Sequence, residues 1–204
     1  QRDPVVIHAP RVDTASRAAI ESEVNSEVEA AFEQALADPF PAASDPWIED
    51  GSSRPAPTYT SSAKTVLQSL NGALHQSLQS DEKVILLGED ILDPYGGAFK
   101  VTQGLSDAFP ERVLTTPISE AGITGLAAGM ALRGLRPVVE IMFGDFVTLI
   151  ADQVINHIAK FRWMYNDQVR VPLVIRTPMG GRRGYGPTHS QTLEKLFLGV
   201  PGLR

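Results

Sequence analysis

Thr116-Pro117-Ile118-Ser119-Glu120-Ala121-Gly122 joins an apolar run to a segment rich in Gly and Ala. The run before it, Arg112–Thr116, reads as a strand entering a turn. The segment after it, Ala121–Arg133 (AGITGLAAGMALR), reads as a tightly packed helix leaving that turn. Glu120 therefore falls at the carboxyl end of a strand and in the first turn of a helix. Open α/β sheets bind their ligands at that edge. A carboxylate there, flanked by small residues that let a flat ring approach, is an acid/base candidate. The same position also suits a glutamate that only complements the positive end of a helix.

On either side of this turn, strands and helices alternate over residues 61–204. Thr65–Gln79 carries apolar residues at helical spacing, and Val84–Leu87 is a short apolar strand ending in Gly88-Glu89-Asp90. Pro137–Phe143 (PVVEIMF) reads as a strand and Asp145–Tyr165 as one long helix. Val171–Arg176 (VPLVIR) reads as a further strand, followed by a Gly-rich loop, Met179–Pro187, and a short helix at Leu193–Phe197. This alternation predicts an α/β fold: a mainly parallel sheet with helices on both faces.

Two zones precede that domain. In residues 1–40, Ile20, Val24, Val28, Phe32 and Leu36 recur every four residues beside Glu21, Glu23, Glu27 and Glu29. The pattern predicts an amphipathic helix, capped by Asp13, Thr14 or Ser16 and ended by Asp38-Pro39. One apolar stripe makes no core, so this helical extension is expected to lie against the main domain or a partner chain. Residues 41–60 (PAASDPWIEDGSSRPAPTYT) lose all periodicity and read as a linker, semi-rigid where prolines cluster.

Bulk composition narrows the function. Of the 204 residues, 24 are acidic and 18 are Lys or Arg; the net charge of -6 argues against nucleic acid as a partner. The chain has no Cys, which removes disulfides, thiolate metal sites and cysteine nucleophiles together and fits a cytoplasmic protein. No apolar run approaches the roughly 18 residues of a membrane span, and QRDPVVIHAPR is not a secretory signal. Gln1 stands where an initiator Met is expected, which suggests a chain processed, cut from something larger or missing its start.

Motif by motif, several classes drop out. No G-x-G-x-x-G follows a strand and no P-loop occurs, so neither a dinucleotide fold nor a nucleotide triphosphate site is supported. Four His with no H-x-x-x-H argue against a protein-only metal site. Gly180-Gly181-Arg182-Arg183-Gly184 suits an anion cradle or a flexible surface loop. His189 follows that loop, at the same sheet edge as Glu120, and is either functional or merely solvated. Asp152, Asn156 and Lys160 share one helical face, as an exposed polar stripe or a seam at a subunit contact. Met142 and Phe146 flank the end of PVVEIMF and suit either the core or the apolar wall of a ring pocket.

Six stretches then occur in order: GEDILDPYGGAFKVTQGL (88–105), TPISEAGITGLAAGMALRGLRPVVEIMFGDF (116–146), DQVINHIAK (152–160), PLVIRTPMGG (172–181), THSQ (188–191) and VPGLR (200–204). Together they resemble the pyrimidine-binding domain of the beta subunit of thiamine-diphosphate-dependent 2-oxoacid dehydrogenases. Pyruvate and branched-chain 2-oxoacid dehydrogenases are the main members. RDP at 2–4 and ESEVNSEVEAAFEQALADPFP (21–41) are similar to the carboxyl terminus of the alpha subunit of the same enzymes. The two resemblances together imply a fused alpha-beta polypeptide that continues beyond both ends of this chain.

The resemblance implies thiamine diphosphate as cofactor, with Glu120 on a ring nitrogen of its aminopyrimidine and Met142 and Phe146 packed around that ring. It implies His189 near the substrate and the acyl-transfer path. It implies potassium bound by backbone carbonyls of Val171, Leu173 and Val174, with further ligands after residue 204. The magnesium and diphosphate motif, GDG followed by Asn, does not occur here and is expected on an alpha-like domain. Implied partners are that domain, a lipoyl acyltransferase and a 2-oxoacid, in a homodimer or an alpha2beta2-like assembly. The chain by itself is expected to bind thiamine diphosphate weakly and to show no turnover. Other thiamine enzymes (acetoin dehydrogenase or transketolase-like) and a non-catalytic assembly module are the alternatives.

Overall fold

A computed structural model describes residues 3–39 and 65–204. The linker read at 41–60 lies outside the described residues. The chain divides into two compact units, within residues 1–49 and 50–204.

The first unit is helical. Asp3 caps a short helix α1 (Pro4–His8), a 3-10 turn follows at Ala9–Arg11, and α2 runs from Thr14 to Ala37. The Asp13 carboxylate accepts the Ser16 N–H at 2.9 Å and sets the start of α2. No residue of α2 is buried, and Phe32 is 65% exposed. The spacing of four explains why the apolar row makes no compact stripe. At 3.6 residues per turn each step advances the row by about 40°, so Ile20 and Leu36 lie roughly 160° apart.

The second unit is a four-stranded sheet, β1 (Val84–Gly88), β2 (Val113–Thr115), β3 (Arg136–Glu140) and β4 (Val174–Arg176), in the order β2-β1-β3-β4. Every pairing is parallel, with Gly88 opposite both Thr115 and Glu140, and Glu140 opposite Arg176. Helices α3 (Val66–Ser80), α4 (Leu105–Ala108) and α5 (Glu120–Leu132) pack around it, α4 and α5 within the crossovers. The apolar run of β1 is buried on both faces, as parallel strands are. Ile85 and Leu87 join Ile123, Ala127, Val139 and Ile141 on one face; Val84 and Leu86 join Leu78, Leu105 and Val113 on the other. The helices thus cover both faces, and Ala127 and Ala131 let α5 sit close to the sheet.

Four elements differ from the sequence reading in bounds or in winding. The segment 145–165 is not one α-helix. It winds as a 3-10 helix (Gly144–Ile150), a wider π-helical stretch (Gln153–Ile158) and a short α6 (Phe161–Met164). At its start the Phe146 N–H bonds only three residues back, to the Phe143 carbonyl at 3.0 Å. The strand read over 137–143 spans Arg136–Glu140, after which backbone hydrogen bonding to the β4 side continues through Ile141 N–H to the Arg176 carbonyl and Gly144 N–H to the Pro178 carbonyl. The strand read over 171–176 starts at Val174. Pro172 has no N–H to give, and the Leu173 N–H turns back to the Val171 carbonyl at 3.0 Å. The last short helix is a 3-10 turn, Glu194–Phe197.

Gly88 is required by what crosses it. A Cβ there would lie 2.8 Å from the Glu140 Cβ and 3.0 Å from its carbonyl oxygen. The small end of β1 lets the neighbouring strand carry a long charged side chain at the same level.

Candidate active site

The order β2-β1-β3-β4 sends the chain from β1 to one side and from β3 to the other, so the crevice lies where β1 and β3 part. Glu89 follows β1 directly and is 6% exposed; Glu120 opens α5 after β2 and is 8% exposed. Burial pushes the Glu89 carboxyl above its ordinary range, and the facing Glu120 and neighbouring Asp90 charges push it further, against a backbone hydrogen bond at Ser119. Glu89 Oε1 has no hydrogen-bond partner among the described residues, and neither has the buried Thr116 hydroxyl, one residue past β2. This edge therefore holds a carboxylate pair and a hydroxyl with unspent hydrogen-bonding capacity.

At the ends of β3 and β4 a second pair is satisfied. The Arg176 guanidinium grips the Glu140 carboxylate with two nitrogens, Nε to Oε2 at 2.6 Å and Nη2 to Oε1. Burial pushes the Glu140 carboxyl up, while the charge and hydrogen bonds of Arg176 pull against it.

Beyond β3 stands an aromatic wall. Phe143 makes edge contacts with Phe99 (5.5 Å between centroids), Phe146 (5.7 Å), Tyr185 (5.5 Å) and His189 (4.7 Å). His189 also meets Phe146 at 5.3 Å, and its Nδ1 lies 2.9 Å from the Thr188 hydroxyl. Phe146 packs on the same apolar cluster as Ile123, three residues along α5 from Glu120. The structure thus brings Phe146 and His189 together and seats Phe146 on the core that carries Glu120. Met142 is half-buried two residues past β3. Val171 and Leu173 lie before β4, while Val174 opens it opposite Val138.

Asp145 anchors the loop that bears His189. Burial works against its charge, but the side-chain amide and backbone N–H of Gln191 outweigh burial and hold its carboxyl below the ordinary range. Polar residues on and beside the π-helical stretch bond to one another: Asn156 Nδ2 to Asp152 Oδ1 at 2.9 Å and Lys160 Nζ to Asn156 Oδ1 at 3.2 Å. They form an exposed ladder. No group of three or more His, Asp or Glu side chains among the described residues is placed to hold a metal. No helix among them is long and apolar enough to cross a membrane.

Glu89, Phe143, Asp145 and Gln191 were not assigned to the site from sequence. For Glu89 a signal existed: it directly follows a fully apolar strand. For the Asp145–Gln191 contact none did, since 46 positions separate the partners.

A doubly covered parallel sheet with buried carboxylates and an aromatic wall at its carboxyl edge defines an α/β domain whose chemistry sits at the strand ends. Residues 62–204 match the transketolase pyrimidine-binding domain, and the chain belongs to that family. It is 45% identical over 152 residues to the pyruvate dehydrogenase E1 component subunit beta-2, mitochondrial, of Oryza sativa subsp. japonica, covering 73% of this chain and 40% of that protein. It is 45% identical over 140 residues to the pyruvate dehydrogenase E1 component subunit beta of Leifsonia xyli subsp. xyli, covering 68% and 41%. It is 42% identical over 147 residues to the acetoin:2,6-dichlorophenolindophenol oxidoreductase subunit beta of Bacillus subtilis, covering 66% and 43%. The chain therefore spans about two fifths of the length of these relatives.

Proposed function

We propose that this chain supplies the aminopyrimidine half of a thiamine diphosphate site, in the decarboxylating component of a 2-oxoacid dehydrogenase that passes its acyl group to lipoamide. One observation carries the reading: Glu120 sits buried in the first turn of α5, facing a second buried carboxylate with an unpartnered oxygen. That unpartnered acceptor fits a nitrogen heterocycle bearing N–H groups. When bound, the cofactor supplies the electron sink for decarboxylation. Glu120 holds or releases a proton at the ring nitrogen, and its burial beside Glu89 keeps water from competing for that proton. Met142 and Phe146 flank the ring, and His189 lines the path of substrate and acyl group. Potassium is held by backbone carbonyls of Val171, Leu173 and Val174, one of which already accepts an N–H within its own turn.

The remaining parts of the reading concern the parent protein. An alpha-like domain supplies magnesium and the diphosphate site. Residues 1–40 are the end of that alpha part, and the linker at 41–60 joins it to the domain at 61–204 in one polypeptide. Homodimers or an alpha2beta2-like assembly work with a lipoyl acyltransferase. The substrate is pyruvate or a branched-chain 2-oxoacid. We assign the protein to the cytoplasm, although the rice relative is named mitochondrial. A second reading, an acetoin-cleaving thiamine enzyme, is favoured by the Bacillus relative.

Glu120→Gln in the full-length protein tests the reading. Turnover of 2-oxoacid with an artificial electron acceptor is expected to fall roughly 100- to 10,000-fold, with the melting temperature retained. Unchanged turnover would leave the domain as an assembly module. A calorimetric titration of this chain alone with thiamine diphosphate is expected to show weak binding; tight binding would refute the half-site.

A further inference from the structure

Three segments distant in sequence meet beside Phe143: the exit of β3, the exit of β4 and Thr188–Gln191. Gly144 N–H donates to the Pro178 carbonyl at 2.7 Å, and Gly180 N–H donates to the Gln191 carbonyl at 3.2 Å. Asp145 Oδ1 accepts both the Gln191 side-chain amide at 2.8 Å and the Gln191 backbone N–H at 3.3 Å. The Thr148 hydroxyl donates to the Asp145 carbonyl at 3.1 Å and steadies it from its own helix. Asp145 is buried, whereas Gln191 is exposed. A buried carboxylate persists where donors meet it, and here the donors come from the loop.

Asp145 and Phe146 are adjacent, and they grip that loop at two points. Asp145 holds Gln191, and the Phe146 ring meets the ring of His189 two residues earlier. The tight 3-10 winding that starts at Gly144 directs both side chains to the same loop. With Gln191 fastened, the Thr188–Gln191 stretch has little freedom, and the imidazole stays wedged between Phe143 and Phe146.

We propose that Asp145 is a positioning residue: through its two hydrogen bonds to Gln191 it fixes the His189 imidazole against Phe143 and Phe146. The importance of His189 rests on the thiamine reading above; the geometry of the strap does not. Holding a group in reacting geometry is worth orders of magnitude in rate, so a loosened His189 loses function without any change at Glu120.

The test follows the His189 ring by NMR in the full-length protein labelled with 13C at histidine Cε1, the signal being assigned by its loss in His189→Gln. In the unsubstituted protein the ring currents of Phe143 and Phe146 displace that signal from the position of a solvated histidine. Asp145→Ala is expected to return it to the solvated position, and Gln191→Ala, which removes the side-chain amide bond but keeps the backbone one, to move it part of the way there. Asp145→Asn, which keeps an acceptor oxygen, is expected to leave it displaced. A signal unmoved by Gln191→Ala overturns the proposal, as does Asp145→Asn behaving like Asp145→Ala. Because Gln191 is exposed, its variant keeps the core and decides the question even where Asp145→Ala fails to fold. Failure of the full-length protein to bind thiamine diphosphate would sink the functional reading alone, since the imidazole signal needs no cofactor.

Discussion

Glu89 holds its proton above the ordinary carboxylate range because it is buried and because Glu120 faces it from the start of α5. Two acids on neighbouring strand exits thus share one poorly hydrated space, and ionising both there is unfavourable.

Replacing Glu89 by Gln should therefore stabilise the fold at neutral pH. The folded state binds the Glu89 proton more tightly than the unfolded chain, where the carboxyl titrates near its ordinary value of 4.5. Stability consequently falls as pH rises from that value through the raised folded value, and then levels. Thermal melts of Glu89→Gln and the unsubstituted protein should coincide near pH 4 and separate at pH 8, with the variant melting higher. Coincident curves at pH 8 would mean that Glu89 is not under this strain.

The Glu140–Arg176 pair responds differently, because its partner is already in place. Arg176→Met leaves the Glu140 carboxylate buried and uncompensated, which costs about 3–5 kcal/mol. Urea unfolding should show the largest loss at neutral pH. The loss should shrink as pH falls through the folded Glu140 value, which burial already raises. Adding Glu140→Leu should recover most of the loss at pH 7. No recovery would show that the arginine serves something other than this carboxylate.

Gly144 tests the seam between β3 and β4. A Cβ there would lie 2.2 Å from Met179 Cγ and 3.1 Å from the Pro178 carbonyl oxygen. Gly144→Ala should destabilise by about 1–3 kcal/mol, as overpacking does. Met179→Ala should absorb part of that when the two are combined, giving a coupling that denaturation of the four proteins measures. Strict additivity would argue that the backbone, not Met179, is the obstacle.

These sites differ in how far the sequence announced them. β1 and β3 were legible because a parallel strand buried on both faces is a continuous apolar run, and VILLG and the PVV inside RPVVE are such runs. The place of Glu120 in the first turn of α5 was legible because its strand–turn–helix context is local. The winding of 144–164 was not: apolar spacing alone does not distinguish an α-helix from 3-10 and π turns when a distant Gln191 draws on Asp145. Pro172 did announce the late start of β4, but its missing N–H was outweighed by the Val and Leu around it. The acid pair and the aromatic wall are juxtapositions of strand exits, which only the sheet order reveals.

The all-parallel pairing also bears on how the domain assembles. Among the described residues no two strands are joined by a tight hairpin, so every ladder closes across a crossover of a dozen residues or more. The chain must surrender loop entropy before any pairing rewards it, which makes slow refolding the expectation relative to a helical bundle of equal length. Among the described residues the outer flanks of β2 and β4 are sheet edges, templates for neighbouring molecules. Dilution during renaturation should favour the native sheet over aggregates.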